Sequence, residues 1–475
     1  MFVPRVLSPI DYQNLPQVVA RVREFCGLMP GEIAHCVYVT GMGAADGPHV
    51  TWGHVTFRPP QEVAGVMEAG NDVARSMWDT KHLLVYVDLD YANADAAGEA
   101  YLHPADCFLK LEPVYRSIAA AFAEYSMPML DLMTGAGYSF IGRVPLDGRA
   151  AARLALLAHE TPPWHATHGQ RLPAWANVAI DESEAKAYHG LGLVLEYFAH
   201  RVLAHADPLV AIPLVVNNTE VGAGATGRES ASIDLTHLGD PLDMRHLRAA
   251  FGLYQKHRLR PDLVGVQASR MPPLAVVPRR GRALMDMLEG RGLPRAADEA
   301  RTGSAVIPNV EAGLLRMLHD YVGSDLAAWH REYHAVRPHP PEAWPDTYDR
   351  LDTADLPPCV AACLGQPNDL LLKPSHIQLL VRTLLARGWN ARHIAGLVYS
   401  RYARPGVWGE HWRRVDPATR AEFDVRVFAG LIAVGRDQGV DFNCVSTQEK
   451  GMCPGGGCPF DLRAERDRLA ARVSS

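Results

Sequence analysis

The chain has 475 residues, of which 48% are apolar and 21% charged, and its formal net charge is −6. This composition excludes an intrinsically disordered chain, which needs low hydrophobicity and high net charge, and a uniformly basic nucleic-acid coat protein. The length predicts roughly two to four domains. Because the sequence shows neither a signal-peptide pattern nor a run of about 18 apolar residues, we expect a cytoplasmic protein outside the membrane.

Hydrophobic periodicity predicts alternating strands and helices in the first part of the chain. Strands are predicted at 82–91 and 138–145, with a helix at 113–126 between them. A further strand is predicted at 230–238, and a helix-like segment at 244–258. Mixed, non-repetitive elements of this kind predict an α+β fold class.

The predicted elements change character along the chain. Residues 1–270 carry the α+β pattern, and Pro and Gly interrupt 271–350, which we interpret as a linker or helical connector. Residues 351–475 have a helical period and no comparable strands, and they end in a loop rich in cysteine. We therefore predict an α+β domain, a connector and an all-helical domain.

Three acidic residues lie on predicted strands of the first domain. Asp88 and Asp90 in VDLDY are two positions apart, so both side chains leave the same face of the strand. Carboxylates are the oxygen ligands that Mg²⁺ or Mn²⁺ prefers, although alternating Asp also occurs where a strand enters a solvated loop. Asp234 in SIDLTHLGD is a candidate third ligand, because two-metal phosphoryl transfer needs several converging carboxylates.

Three cations follow Asp234 closely in sequence. Arg245, Arg248 and Lys256 occur in MRHLRAAFGLYQK. Arg and Lys beside metal-binding carboxylates are suited to holding the oxygens of a triphosphate. The sequence therefore predicts a nucleotide-binding role for these three residues.

The motifs VDLDY, TGAGYSF and SIDLTHLGDPLDMRHLRAAFGLYQK resemble, in order, the three motifs of the archaeo-eukaryotic primase superfamily. The resemblance covers about residues 30–270. It implies an RRM-like catalytic core with a flanking α/β module, metal binding by Asp88, Asp90 and Asp234, and primer synthesis on single-stranded DNA from nucleoside triphosphates. A nucleotidyltransferase of this kind would also have a helicase or other replication proteins as partners.

One position departs from that family. Its second motif ends in a His that contacts the nucleotide phosphates, whereas TGAGYSF has Ser139. A hydroxyl can donate a hydrogen bond to phosphate but carries no charge. Ser139 and the nearby Arg143 are the predicted nucleotide contacts here, and the alternative function is a catalytically impaired, primase-like nucleic-acid-binding protein.

The C-terminal cysteines form a second candidate site. Cys444, Cys453 and Cys458 are separated by irregular gaps and by Gly and Pro, and no C-x₂-C pair of a zinc ribbon is present. Irregular spacing favours a [4Fe–4S] cluster, with zinc as the alternative. Cys359 is the expected fourth ligand, and Cys363, one helical turn later, competes with it.

The arrangement of PPC, a helical stretch and three returning cysteines is similar to the iron–sulfur domain of the primase large subunit. That resemblance covers about 355–460 and implies Cys359, Cys444, Cys453 and Cys458 as cluster ligands. Together the two resemblances predict a single-chain DNA primase or primase-polymerase with a structural or redox cluster. A zinc-stapled hydrolase or nuclease that uses the same carboxylates is a third hypothesis.

Two further predictions concern the surface of the helical part. Residues 382–426 contain more Arg than acidic residues, interleaved with aromatic residues that include Trp408 and Trp412. This mixture is typical of a surface that contacts single-stranded nucleic acid. His330 and His334 in HREYH share a helical face but lack the HExxH order, so we predict a surface feature.

Overall fold

The computed structural model describes residues 7–29, 34–43, 56–176, 178–224, 227–242, 245–365, 369–404, 416–455 and 457–473. Trp408 and Trp412 lie outside the described residues. The fold class is α+β, as predicted, with helices accompanied by antiparallel and parallel strand pairs. None of the helices in the described part combines the length and the hydropathy that crossing a bilayer requires.

Most strands lie in the first half of the chain. They are β1 (Val39–Met42), β2 (Thr56–Arg58), β3 (Asp72–Ser76), β4 (His82–Asn93), β5 (Leu130–Met133), β6 (Gly137–Pro145), β7 (Leu214–Val216), β8 (Glu229–Asp234), β9 (His246–Arg248), β10 (Leu253–Tyr254), β11 (Leu274–Ala275) and β12 (Val277–Pro278).

Helices occur along the whole described chain. The helices that begin before residue 300 are α1 (Pro9–Gln13), α2 (Pro16–Phe25), α3 (Val63–Glu68), α4 (Glu99–Leu102), α5 (Pro104–Glu124), α6 (Arg149–Ala155), α7 (Trp164–Arg171), α8 (Glu182–Ala206), α9 (Lys256–Leu259), α10 (Pro261–Val264), α11 (Val266–Ser269), α12 (Leu284–Gly290) and α13 (Leu293–Thr302). The others are α14 (Glu311–Val322), α15 (Asp325–Ala335), α16 (Pro358–Leu364), α17 (Pro374–Ala386), α18 (Ala391–Tyr402), α19 (Pro417–Ala433), α20 (Cys444–Glu449) and α21 (Leu462–Val473).

Contacts divide the chain into two compact units. Unit 1 comprises residues 1–153, 169–181 and 245–315, and unit 2 comprises 154–168, 182–244 and 316–475. Both units are discontinuous in sequence. The functional ranges 1–270, 271–350 and 351–475 stay predictions.

Unit 1 is built on antiparallel strands. One sheet has the order β2-β1-β3-β9, and β12, β5, β6 and β4 pair in that order. The strand β4 is long and nearly continuously apolar, and its centre is buried on both faces, with α5 packed against it. Because Val85 and Val87 are fully buried, they fix the register of β4. That register places Asp88 and Asp90 toward the C-terminal end of the strand.

The helix-like prediction for 244–258 is wrong. The described residues 245–258 form β9, β10 and the start of α9. Arg248 pairs with Ala74 on β3, and Phe251 has a φ of 61°, in the left-handed region that a continuous α-helix does not contain. Strand pairing and this turn outweigh the helical spacing of the apolar residues.

Unit 2 contains the parallel pair β7–β8 and a large set of helices. From Pro358 onward, the described residues contain helices and no strand. The surface prediction for HREYH is wrong, because His330 is 1% exposed and its Nε2 lies 3.1 Å from a carboxylate oxygen of Glu196. Arg426 bonds Glu196 and also Glu422, whose Oε1 accepts from Arg426 Nε at 2.8 Å. The helix α15 thus buries its histidines against α8 and α19.

These buried histidines predict that acid destabilises the fold. Burial lowers the pKa of His189 and His200 to about 4 and that of His334 to about 2, whereas burial raises the pKa of Glu196 to about 7. A His in the unfolded chain has a pKa near 6.5, so below that pH the unfolded state binds protons that these histidines do not bind in the folded state. Proton binding therefore favours the unfolded state as the pH falls. Glu196, Asp424 and Asp72, whose pKa values burial raises, have the opposite effect. The buried His330 and His376, whose pKa values burial lowers, add to the effect of the three histidines.

We expect the free energy of unfolding to fall by about 2 kcal/mol or more between pH 7 and pH 5. Urea titrations at pH 7, 6 and 5 measure it. A midpoint that stays constant or rises as the pH falls would contradict the assignment of neutral, buried histidines.

Candidate functional site

Strand pairing positions the two acidic residues of VDLDY. Asp88 lies opposite Ser139 and Asp90 opposite Gly137 in the β4–β6 pair. A Cβ atom at Gly137 would lie 1.9 Å from the carbonyl oxygen of Leu89, so only glycine allows the strands to approach this closely. Asp88 is buried and Asp90 half-buried, and both are on the same face of β4, as the spacing predicts.

Ser139 is bound to the carboxylate rather than directed away from it. Its hydroxyl donates to Asp88 Oδ1 at 2.8 Å, and the Tyr86 hydroxyl lies 3.1 Å from Ser139 Oγ. Burial, and then the charge of Asp88, raises the pKa of Tyr86 well above its ordinary value. At neutral pH Tyr86 is therefore a neutral hydroxyl in a chain that ends on Asp88.

Arg245 lies on the same carboxylates. Its Nη2 forms a close ion pair with Asp88 and is 3.8 Å from an oxygen of Asp90. The guanidinium is mostly buried and lies 6.0 Å from the centre of the Tyr86 ring. Arg245 thus neutralises the acidic pair from within unit 1.

A metal ion at these carboxylates would have to compete with that guanidinium. We expect Arg245→Gln to tighten Mn²⁺ binding about tenfold, since this corresponds to about 1.4 kcal/mol, the scale of one ion pair near the surface. Electron paramagnetic resonance of free Mn²⁺ measures the dissociation constant, with the exposed Arg258→Gln as the matched control. Equal affinity in both variants and wild type would show that Arg245 does not compete.

Arg248 has a partner that sequence reasoning missed. Its Nη1 donates to Asp72 Oδ2 at 2.8 Å, and its guanidinium lies 4.4 Å from the centre of the Tyr254 ring. Asp72 also accepts from the backbone N–H of Gln255 at 2.9 Å. Burial raises the pKa of Asp72, and Arg248 opposes that shift. Arg248 is therefore a fixed cation in the wall of the site.

These side chains line one cavity of about 90 Å³ in unit 1. The predicted site residues in its wall are Asp88, Asp90, Ser139, Arg245, Arg248 and Lys256. The wall also contains Tyr86, together with Thr134 and Tyr254, which lie within TGAGYSF and MRHLRAAFGLYQK but were not predicted as site residues. The structure does not place Arg143 there. Arg143 is four residues beyond Ser139 on β6 and pairs with Leu84.

Asp234 ends the strand β8. Its Oδ1 accepts from the N–H and hydroxyl of Thr236, at 2.8 and 2.6 Å, and its Oδ2 accepts from Asn218 Nδ2 at 2.9 Å. Asp234 belongs to unit 2, whereas Asp88 and Asp90 belong to unit 1. Carboxylate oxygens are the ligands that Mg²⁺ and Mn²⁺ prefer.

The cysteines of unit 2 form the second candidate site. Burial, followed by the neighbouring thiols Cys453, Cys444 and Cys458, raises the pKa of Cys359 to about 11. Cys363 is influenced by Cys359 but by none of the other three, and it is fully buried. The structure therefore groups Cys359 with the three C-terminal cysteines and leaves Cys363 aside.

Cys359 is buried, Cys444 and Cys453 are half-buried, and Cys458 is exposed. The backbone N–H of Leu462 donates to Cys444 Sγ at 3.5 Å, the kind of hydrogen bond that tunes cluster sulfurs.

The predicted nucleic-acid segment 382–426 is largely occupied by ion pairs. Arg382 contacts Asp437 and Asp441, and Arg392 contacts Glu422. All the arginines of the segment that the structure describes have an acidic partner, namely Arg382, Arg387, Arg392, Arg401, Arg404, Arg420 and Arg426. These arginines are therefore paired within unit 2, and the excess of Arg in the sequence overstated the free positive charge of the surface.

No protein-family model, curated protein or solved structure matches the chain.

Proposed function

We propose that the chain is a primase-like nucleotidyltransferase that joins nucleotides on a single-stranded DNA template. The observation that carries the proposal is the cavity of unit 1, where two carboxylates meet Arg245, Arg248 and Lys256 from a segment about 150 residues later. Acidic oxygen ligands beside fixed cations are what a metal-bound triphosphate requires.

Each group has a distinct role in this proposal. Asp88 and Asp90 would hold Mg²⁺ or Mn²⁺, with Asp234 as the third ligand that the primase resemblance implies, and the ion would supply the positive charge that activates a 3′-hydroxyl and stabilises the leaving pyrophosphate. Arg245 leaves the carboxylates and contacts the phosphates. Arg248, held by Asp72, and Lys256 supply further positive charge.

The four grouped cysteines support the second part of the proposal, a [4Fe–4S] cluster in unit 2. Their irregular spacing in the sequence, without a C-x₂-C pair, suits a cluster better than a structural zinc ion. The RRM-like core, the replication partners and the cytoplasmic location remain part of the same proposal.

The test is incorporation of labelled nucleotides on unprimed single-stranded DNA, with ribonucleotides and deoxyribonucleotides supplied separately. We expect Mn²⁺- or Mg²⁺-dependent products from at least one of the two pools. The absence of products from both pools would overturn the enzymatic assignment.

A second candidate, a primase-like protein with an impaired site, is favoured by the engagement of Ser139 with Asp88 at 2.8 Å. A hydroxyl that donates to the carboxylate does not replace the imidazolium of the family motif at the phosphates. In that case wild type is expected to be inactive and Ser139→His to gain incorporation. An active wild type, with Ser139→His no faster, would contradict the second candidate.

A further inference from the structure

Unit 2 contains a cavity of about 190 Å³ that the proposed reaction does not use. Its walls are mainly small or rigid apolar residues, among them Pro162, Pro163, Pro338 and Ala418, with the ring of Tyr399. The polar groups His189, Glu422 and Arg392 share one lining. Because pockets for drug-sized ligands measure roughly 300–1,000 Å³, this one fits a single flat ring system.

Unsatisfied buried nitrogen atoms mark the polar side of this cavity. His189 Nε2 is buried and has no hydrogen-bond partner in the described structure. The same holds for both ring nitrogens of the neighbouring His334, which does not line the cavity. The two rings are 5.7 Å apart, and His334 Nε2 is 3.9 Å from a carboxylate oxygen of Glu422. Buried polar atoms normally have partners, so a polar group is expected to satisfy His189 from within the cavity.

The protonation states of His189 and Glu422 determine which hydrogen-bonding groups a ligand needs in order to bind in this cavity. Burial lowers the pKa of His189 to about 4, so its ring is neutral at pH 7. Burial would raise the pKa of Glu422, but the guanidinium groups of Arg426 and Arg392 help to hold that pKa well below its usual range. The cavity therefore offers an anionic acceptor beside a neutral imidazole.

The mouth of the cavity is open to solvent. Arg392 pairs there with Glu160, whose side chain is 59% exposed, and its Nη1 lies 3.8 Å from Glu422. A ligand can thus enter past the Glu160–Arg392 ion pair at the exposed rim. The same rim places a cation near any phosphate that the ligand carries.

We propose that this cavity binds an amino-substituted nitrogen heterocycle of nucleobase size, with its amino group on the Glu422 carboxylate and a ring nitrogen against His189 Nε2. Flat apolar walls and one polar edge recognise the faces and the edge of such a ring. The ligand is either a free nucleoside or a base unstacked from a strand. The proposal does not depend on catalysis at Asp88.

Binding of cytidine and uridine to the full-length protein tests the proposal, because the two differ at the amino group. Isothermal titration and saturation-transfer NMR are expected to show cytidine binding at least tenfold tighter than uridine. His189→Phe and the cavity-filling Ala418→Leu should each weaken cytidine binding at least tenfold. The exposed His205→Phe, on the same helix, should leave it unchanged.

Equal affinity for the two nucleosides, unchanged binding in both cavity variants, or no binding at millimolar concentration would each overturn the proposal. Thermal unfolding verifies that the variants are folded. Because His189→Phe removes a polar contact and Ala418→Leu fills space, the test still stands if one of the two variants misfolds. Displacement of cytidine by a single-stranded oligodeoxycytidine identifies a strand as the source, and persistence of cytidine identifies a free nucleoside. Repeating the titration with Asp88→Asn separates this site from the proposed active site.

Discussion

Replacing Asp88 by Asn is expected to abolish Mn²⁺ binding at the cavity of unit 1 and to lower nucleotide incorporation by at least about 10³-fold. Removing one preorganised electrostatic group from an active site typically costs about 10²–10³ in rate, and Asp88 is both a ligand and the partner of Ser139 and Arg245. Asn keeps the shape of the side chain but removes the charge that attracts the metal.

The matched control is Asp95→Asn, in the exposed loop that follows β4. It changes net charge equally and should leave metal binding and incorporation intact. Thermal unfolding of Asp88→Asn is needed alongside, because Arg245 loses its carboxylate partner. Full Mn²⁺ binding by folded Asp88→Asn would contradict the metal site.

Replacing Cys359 by Ser is expected to remove the proposed [4Fe–4S] cluster and to destabilise unit 2. Loss of a structural metal group belongs to the few changes that cost more than about 4 kcal/mol. For a unit of this size that is a fall on the order of 10 °C in unfolding temperature. Absorbance near 400 nm and iron and sulfide content after anaerobic purification measure the cluster, and calorimetry measures the stability.

Cys363→Ser is the control in the same helix α16, four residues away. The thiol of Cys363 donates to the carbonyl oxygen of Cys359 at 3.5 Å and is not grouped with the other three cysteines. The Cys363→Ser variant should therefore retain its brown colour and its iron. Loss of the cluster in Cys363→Ser with retention in Cys359→Ser would exchange the two assignments, and stoichiometric zinc without iron would exclude a cluster.

Much of the acidic half of the site could be predicted because local rules determine it. Alternation along a buried strand places Asp88 and Asp90 on one face whatever the rest of the fold does. The pairing of Asp88 with Ser139 was implicit in two predicted strands, but the sequence contained no indication that the hydroxyl donates to the carboxylate. That bond depends on the register of β4 with β6.

Long-range partners account for what the sequence did not reveal. The segment after Asp234 has helical spacing, yet Arg248 reaches Asp72, 176 positions earlier, through strand pairing with β3. The excess of Arg in the helical part likewise suggested an exposed basic surface. Arg382 and Arg426 pair with Asp437 and Glu196, which lie outside that segment, so a count of charges within the segment does not reveal the pairing. Burial of His330 depends on Glu196 in α8 in the same way.

The central claim is that Asp88 and Asp90 support metal-dependent joining of nucleotides. The most direct test compares wild type with the Asp88→Asn, Asp90→Asn double variant for incorporation of α-labelled nucleoside triphosphates on unprimed single-stranded DNA. We expect Mn²⁺- or Mg²⁺-dependent products from wild type and none from the folded double variant. Equal synthesis by the two proteins would contradict it.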